Sequence, residues 1–268
     1  MRVPCPAVTS STDPTQRFRL DERTVIVAGA SSGLGARFAR VVAAAGATVV
    51  VGARRRARLQ ALVDELRSEG ADAVAVECDV TIDSEVERLV AAAIEATGRL
   101  DVLVNAAGIA PDEDEEIESP DLFRRVLEVN AVGLYSCTRA AARVMLERGA
   151  GSIINVASIS GLVAGDGPDT PSYAASKGAV VNLTRELAVR WAPRGVRVNA
   201  LAPGWFPSEM TAETLSSEEG RQFVDERTPL GRPGRPDELD GALLFLASEA
   251  SSYVTGHTLV VDGGWTSR

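Results

Sequence analysis

The sequence predicts an α/β fold: a doubly wound parallel sheet of about seven strands with helices on both faces, in a single domain. Three observations predict it. Short apolar runs rich in Val and Ile recur at 24–28, 48–52, 73–77, 102–105, 152–156, 197–201 and 258–261. They lack polar alternation, as strands do when helices cover both of their faces. Between them, amphipathic stretches at 35–45, 57–69, 84–97, 131–148 and 172–191 carry helical periodicity. No repeat and no Pro/Gly-rich linker divides the 268 residues, a length that one large core accommodates. Such a sheet binds ligands beyond the C-terminal ends of its strands.

Taken in order, residues 1–20 read as a polar, Pro-containing flexible tail, and 21–268 as the folded domain. The first strand runs directly into Gly29-Ala-Ser31-Ser32-Gly33-Leu34-Gly35 and then into a helix. Glycine permits positive φ and close backbone approach to a phosphate, and the helix N-terminus offers free N–H groups. The second strand ends in Arg54-Arg55-Arg56, with no acidic residue, and Asp79 and Val80 follow the third. After the fourth comes Asn105-Ala-Ala107-Gly108, and then the acidic stretch 112–118, which reads as solvated surface. Ser158 follows the fifth strand, at the edge where ligands bind. Tyr173 and Lys177, four apart in a helix, share one face. Beyond the sixth strand and Pro203-Gly204, residues 205–229 interrupt the rhythm with Trp205, Phe206, Met210 and Phe223 among polar residues. That mix suits either a flap over a substrate or a docked structural excursion.

Composition excludes several classes. A formal charge of −9 provides no basic stripe for nucleic acid. No apolar run reaches the roughly 18 residues that span a bilayer, and the N-terminus lacks a signal-peptide pattern, so a cytoplasmic location is expected. Cys5, Cys78 and Cys137 are too scattered for a metal quartet or a disulfide framework. The single histidine, His257, in a strand-like stretch, reads as structural. No metal is expected. Of the 28 basic residues only Lys177 is lysine, a compact ammonium in a chain that otherwise writes arginine.

With the glycine turn, Asn105-Ala-Ala-Gly108, Asn130, Ser158, Tyr173-x-x-x-Lys177 and Pro203-Gly204 in this order, the sequence resembles the short-chain dehydrogenase/reductase family. The likeness is to its compact, Rossmann-like form, especially 3-oxoacyl reductases, over about residues 20 to 265. The resemblance implies an NAD(P)-dependent enzyme that moves a hydride between a nicotinamide and a ketone or secondary alcohol. It implies Tyr173 as acid/base, Lys177 reaching the nicotinamide ribose, Ser158 holding the carbonyl oxygen and Asn130 holding a relay water behind the lysine. Phenol titrates at about pH 10, and a nearby ammonium favours its phenolate.

The cofactor residues so implied are Gly29, Ser31, Ser32, Gly33, Leu34, Gly35, Arg54, Asp79, Val80, Asn105, Ala107, Gly108, Tyr173, Lys177, Pro203, Gly204, Phe206 and Ser208. Arginine grips phosphate bidentately, so Arg54 favours NADP(H), with NAD(H) the alternative; Arg55 assists or faces solvent. Against NADP(H), Ser32 stands where relatives that bind it often carry a second base. Ser160, Leu162, Val163, Trp205 and Met210 are the expected substrate pocket. The stretch from Ser158 to Tyr173 is two residues longer than the family usually has, and residues 165–171 within it are expected as a loop beside that pocket. Ala28 and Ala106 replace hydrogen-bonding residues common in the family, Ala28 removing a partner near Asn105. A homotetramer or homodimer is expected by resemblance. The alternatives are an NAD-dependent alcohol, sugar or steroid dehydrogenase, and a nucleotide-binding sensor without turnover; the sensor is disfavoured because all four reacting residues are present.

Overall fold

A computed structural model describes residues 13–111, 117–164 and 171–268. Seven strands, β1 (Thr24–Ala28), β2 (Thr48–Ala53), β3 (Ala73–Glu77), β4 (Val102–Asn105), β5 (Gly151–Val156), β6 (Val196–Pro203) and β7 (Thr258–Val261), form one sheet in the order β3-β2-β1-β4-β5-β6-β7. Every pairing is parallel. The order reverses between β1 and β4, and the crevice at such a reversal is where this architecture receives ligands.

β1 explains the missing polar alternation. Val25 and Val27 face a core built with Phe38, Leu59, Leu66, Leu243 and Leu246. Ile26 and Ala28 face the opposite core, with Leu89, Leu100, Met145 and Ile153. The first layer comes from α1 (Gly33–Ala44), α2 (Arg56–Ser68) and α9 (Asp240–Ala247). The second comes from α3 (Asp83–Thr97), α5 (Leu134–Arg148) and α6 (Pro171–Trp191). Left-handed glycines stop α3 at Gly98 and α5 at Gly149, where a side chain would be strained.

Three departures from the sequence reading, and one segment it left open between two readings, have local causes. The helix expected from residue 131 is preceded by α4 (Pro120–Leu127), which Ser119 caps by accepting from the Leu122 N–H, and by a π-helical turn, Glu128–Gly133. Residues 13–20, expected within the tail, are docked: Arg17 donates to the Glu249 carbonyl at 2.9 Å, and Leu20 lies in the core. Glu118, expected as part of a solvated stretch, accepts from the Ser172 N–H and hydroxyl, both at 2.9 Å, at the start of α6. Residues 205–229 fold into α7 (Ala212–Ser216) and α8 (Glu218–Arg227). There Trp205, Phe223 and Trp265 pack with centroids 5.8–6.3 Å apart. Residues 112–116 and the loop residues 165–170 lie outside the described residues.

Candidate active site

A cleft of about 380 Å³ opens at the C-terminal ends of β1 and β4. Its first wall is the glycine turn. At Gly29, with φ +90°, an added Cβ would lie 2.4 Å from the Ala107 nitrogen; at Gly35 it would meet the Gly29 carbonyl oxygen at 2.2 Å. Only glycine lets the turn close this tightly on the β4 loop. Ser32 stands at the N-cap of α1 but its side chain makes no capping hydrogen bond, so it leaves the first-turn N–H groups to other partners. Ser31, Ser32, Gly33, Leu34 and Gly35 all line the cleft.

The second wall comes from the ends of β2 and β3: Arg54, Arg55, Asp79 and Val80. Among the described residues no hydrogen bond or ion pair within 4 Å holds the Arg54 side chain, although Asp79 lies within its electrostatic reach. Arg55 does not simply face solvent. Its Nε donates to Ser31 Oγ at 3.0 Å, Nη2 to Ser32 Oγ, and Nη1 to Glu209 at 2.9 Å.

The floor is Ala106, Ala107 and Gly108. Asn105, expected as a cofactor contact, sits beneath it instead, because the strand pleat turns its side chain toward α5. Its amide donates to Thr138 Oγ1 at 2.8 Å and Asn155 Oδ1 at 2.9 Å, and Asn155 donates in turn to Thr184. Among the described residues the buried Asn105 Oδ1 has no partner, and the residue opposite it in the β1 register is Ala28.

At the far end stand Ser158, Tyr173 and Lys177, all lining the cleft. Lys177 Nζ lies 5.5 Å from the Tyr173 ring centroid and donates to the Val156 carbonyl at 2.9 Å. Only 5% of Lys177 is exposed, and burial pushes its pKa down to about 8. An added Cβ on Gly108 would come within 3.6 Å of that ammonium and 3.3 Å of Asn130 Oδ1, so all three groups meet at one point. Asn130 accepts from the Ile109 N–H at 2.8 Å and donates to the Ile109 carbonyl and to Ser176 Oγ. Its side chain thus braces the β4 loop against α6. Ser158 Oγ accepts from the Ser160 N–H at 3.2 Å.

Pro203, Gly204, Phe206, Ser208 and Met210 also line the cleft. Four expected pocket residues do not line this cleft. Ser160 is turned toward Ser158, at 3.1 Å between hydroxyl oxygens. Leu162 packs against the core residues around Leu134 and Val180. Val163 is partly buried outside the cleft. Trp205 borders a separate cavity of about 100 Å³, because its indole is held by Phe223 and Trp265. Conversely, Ile109, Glu209 and Thr211 line the cleft and were not expected; for Glu209 the sequence holds no signal, since its partners lie 151 and 154 residues away.

A family model described as enoyl-(acyl carrier protein) reductase matches residues 29–266. A galactitol 2-dehydrogenase (L-tagatose-forming) of Cereibacter sphaeroides is 45% identical over 93% of this chain and 97% of its own. The chain belongs to the short-chain dehydrogenase/reductase family. As a member of that family it is an NAD(P)-dependent oxidoreductase acting on CH–OH and C=O groups. A 3-oxoacyl-[acyl-carrier-protein] reductase of Synechocystis is 38% identical over 91% of this chain and 97% of its own. The crystal structure of a gluconate 5-dehydrogenase from Burkholderia cenocepacia in complex with NADP and tartrate superposes with a TM-score of 0.89. Its identity is 38%, over 94% of this chain and 98% of that one.

The residues present in this dehydrogenase/reductase fit a dinucleotide. The glycine turn lines the cleft and closes only because Gly29 and Gly35 carry no Cβ, and it leads into a helix N-terminus suited to pyrophosphate. Arg54 and Arg55 stand at one end of the cleft, Tyr173 and Lys177 at the other. Among the described residues no cluster suited to a metal ion exists, and no helix is long and apolar enough to cross a membrane.

Proposed function

We propose that the chain interconverts a secondary alcohol and a ketone, with NADP(H) preferred over NAD(H), and that Tyr173 is the acid/base. The observation that carries this reading is the buried Lys177 ammonium, 5.5 Å from the Tyr173 ring in the cleft that also holds the glycine turn and Ser158. An ammonium in so dry a place favours the neighbouring phenolate. In reduction the Tyr173 hydroxyl gives its proton to the carbonyl oxygen, while the Ser158 hydroxyl donates to that oxygen as negative charge develops. In oxidation the phenolate removes the alcohol proton. A bound nicotinamide would supply or accept the hydride at the carbon.

The preference for NADP(H) rests on Arg54 and on a second base. Where Ser32 leaves the glycine turn without a positive charge, Arg55 brings one from the end of β2, with its guanidinium on Ser31 and Ser32. The galactitol and gluconate dehydrogenases among the relatives favour a polyol or sugar acid as substrate, with a 3-oxoacyl group as the second reading, supported by the Synechocystis reductase. The same reading makes the chain a cytoplasmic homotetramer or homodimer. The exposed Tyr135 on α5 and Val189 on α6 are apolar surface that such an assembly would cover.

Absorbance assays with NADP(H) and NAD(H) against galactitol, gluconate and a 3-oxoacyl thioester test the proposal. Turnover with a lower KM for NADP(H), raised at least tenfold by Arg54→Ala, is expected. A wild-type preference for NAD(H), or no turnover across the panel, overturns it.

A further inference from the structure

The segment beyond β6 folds against the phosphate end of the cleft. Thr211 Oγ1 donates to the Phe206 carbonyl at 2.6 Å and accepts from the Ser208 N–H at 3.0 Å, closing residues 206–211 into a compact turn. The Cβ of Ser208 lies 3.5 Å from where a Cβ on Gly33 would stand, so this turn rests on the glycine turn itself. From it Glu209 reaches back across the mouth. Its Oε2 accepts from Arg55 Nη1 at 2.9 Å, and its Oε1 accepts from Arg58 Nη1. Hydrogen bonds from Arg58, Arg55 and Ser32 hold the Glu209 carboxyl down at about 2.

Each nitrogen of the Arg55 guanidinium therefore already has a partner, three of its five N–H donors being used. Nε holds Ser31, Nη2 holds Ser32 and Nη1 holds Glu209. A phosphate gripped by two parallel N–H donors shares at least one donor nitrogen with these partners. Hydroxyls yield such a nitrogen with little electrostatic loss. A carboxylate is different, since it pairs with the same charge and repels the incoming phosphate. Where an open α/β sheet discriminates between the two nicotinamide cofactors, an acid at the end of the second strand commonly does so. Here that position carries arginines, and an acid reaches the same locus from the other wall of the cleft.

We propose that Glu209 is a cofactor-specificity residue: its carboxylate competes with a 2′-phosphate for Arg55 and so limits the preference for NADP(H) over NAD(H). The inference rests on the reading of the cleft as a dinucleotide site with its adenosine end at Arg54 and Arg55. Exposed ion pairs add little to stability, so the consequence of this one lies in what it occupies.

The test measures binding without turnover, on the full chain. NADPH and NADH dissociation constants are read by cofactor fluorescence, and thermal shifts are recorded with 2′,5′-ADP and with 5′-AMP. Glu209→Gln keeps the shape and removes the charge. It is expected to tighten NADPH at least threefold relative to NADH, and to enlarge the thermal shift from 2′,5′-ADP but not from 5′-AMP. Adding Arg55→Gln should erase that gain, as a double-mutant cycle requires for a shared partner. A change in the NADPH/NADH ratio below threefold, or a gain that survives the loss of Arg55, overturns the proposal while leaving the dinucleotide reading intact. A wild-type protein that binds neither cofactor overturns that reading, and this inference with it.

Discussion

At the scale of single residues, the site depends on groups whose neighbours are fixed at both short and long range. Tyr173 and Lys177 are legible in sequence because helical geometry alone puts residues four apart on one face. Arg55 was left open between two roles, because nothing local says that its guanidinium turns back to Ser31 and Ser32. Glu209 was invisible for the same reason, its contacts being made across the cleft. Asn105 illustrates a half-legible residue: the loss of a hydrogen bond at Ala28 was readable, whereas the exclusion of Asn105 from the cleft was not. Because the buried Asn105 Oδ1, opposite Ala28, has no donor among the described residues, Ala28→Thr should supply a hydroxyl to it. The expected gain is about 1 kcal/mol, measured as a higher urea midpoint with an unchanged m-value. A lower midpoint would show that the added methyl does not fit.

At the scale of elements, all seven strands were legible to within two residues, since buried parallel strands announce themselves as unbroken apolar runs. The helical region before α5 was not. α4 buries only Val126, and a π turn shifts the phase of the pattern just where Asn130 is placed. The Trp205 segment carried an ambiguous mix of aromatic and polar residues, and of the rings that hold Trp205, Phe223 lies within the segment while Trp265 is remote in sequence. The start of α6 matters most for chemistry. Glu118 accepts two hydrogen bonds from Ser172, next to Tyr173, and places negative charge at the positive end of a 21-residue helix. Glu118→Ala should cost about 1 kcal/mol in the manner of a lost N-cap. Because the frayed turn carries Tyr173, kcat should fall several-fold with cofactor affinity unchanged. Equal losses in kcat and in NADPH binding would contradict this positioning role.

At the scale of the whole molecule, the sheet separates chemistry from stability. The C-terminal edge holds the cleft, and the opposite edge holds an ionic clasp. Asp101, 3% exposed, accepts from Arg23, Arg99 and Arg148 and from the Thr24 N–H, tying β1, β4 and α5 together. Burial alone would raise its pKa, but the hydrogen bonds from Arg99, the Thr24 N–H and Arg148 outweigh it and push the carboxyl down to about 2. A depressed carboxylate stabilises the native state above its unfolded pKa of about 4, and that contribution is lost as pH falls toward 2. Asp101→Asn should therefore lower stability at neutral pH by about 2 kcal/mol and flatten the acid limb between pH 4 and 2. Chemical denaturation at a series of pH values reads both effects; parallel curves for wild type and variant would contradict the assignment.

The measurement that bears most directly on the central claim, a phenol made proton-active by one buried ammonium, is the kinetics of Tyr173→Phe beside its cofactor binding. The variant keeps the ring over Lys177 and removes only the hydroxyl. NADPH affinity within about twofold of wild type, with kcat reduced by roughly 10²–10⁴, is the expected result. A kcat within tenfold of wild type would mean that another group moves the proton.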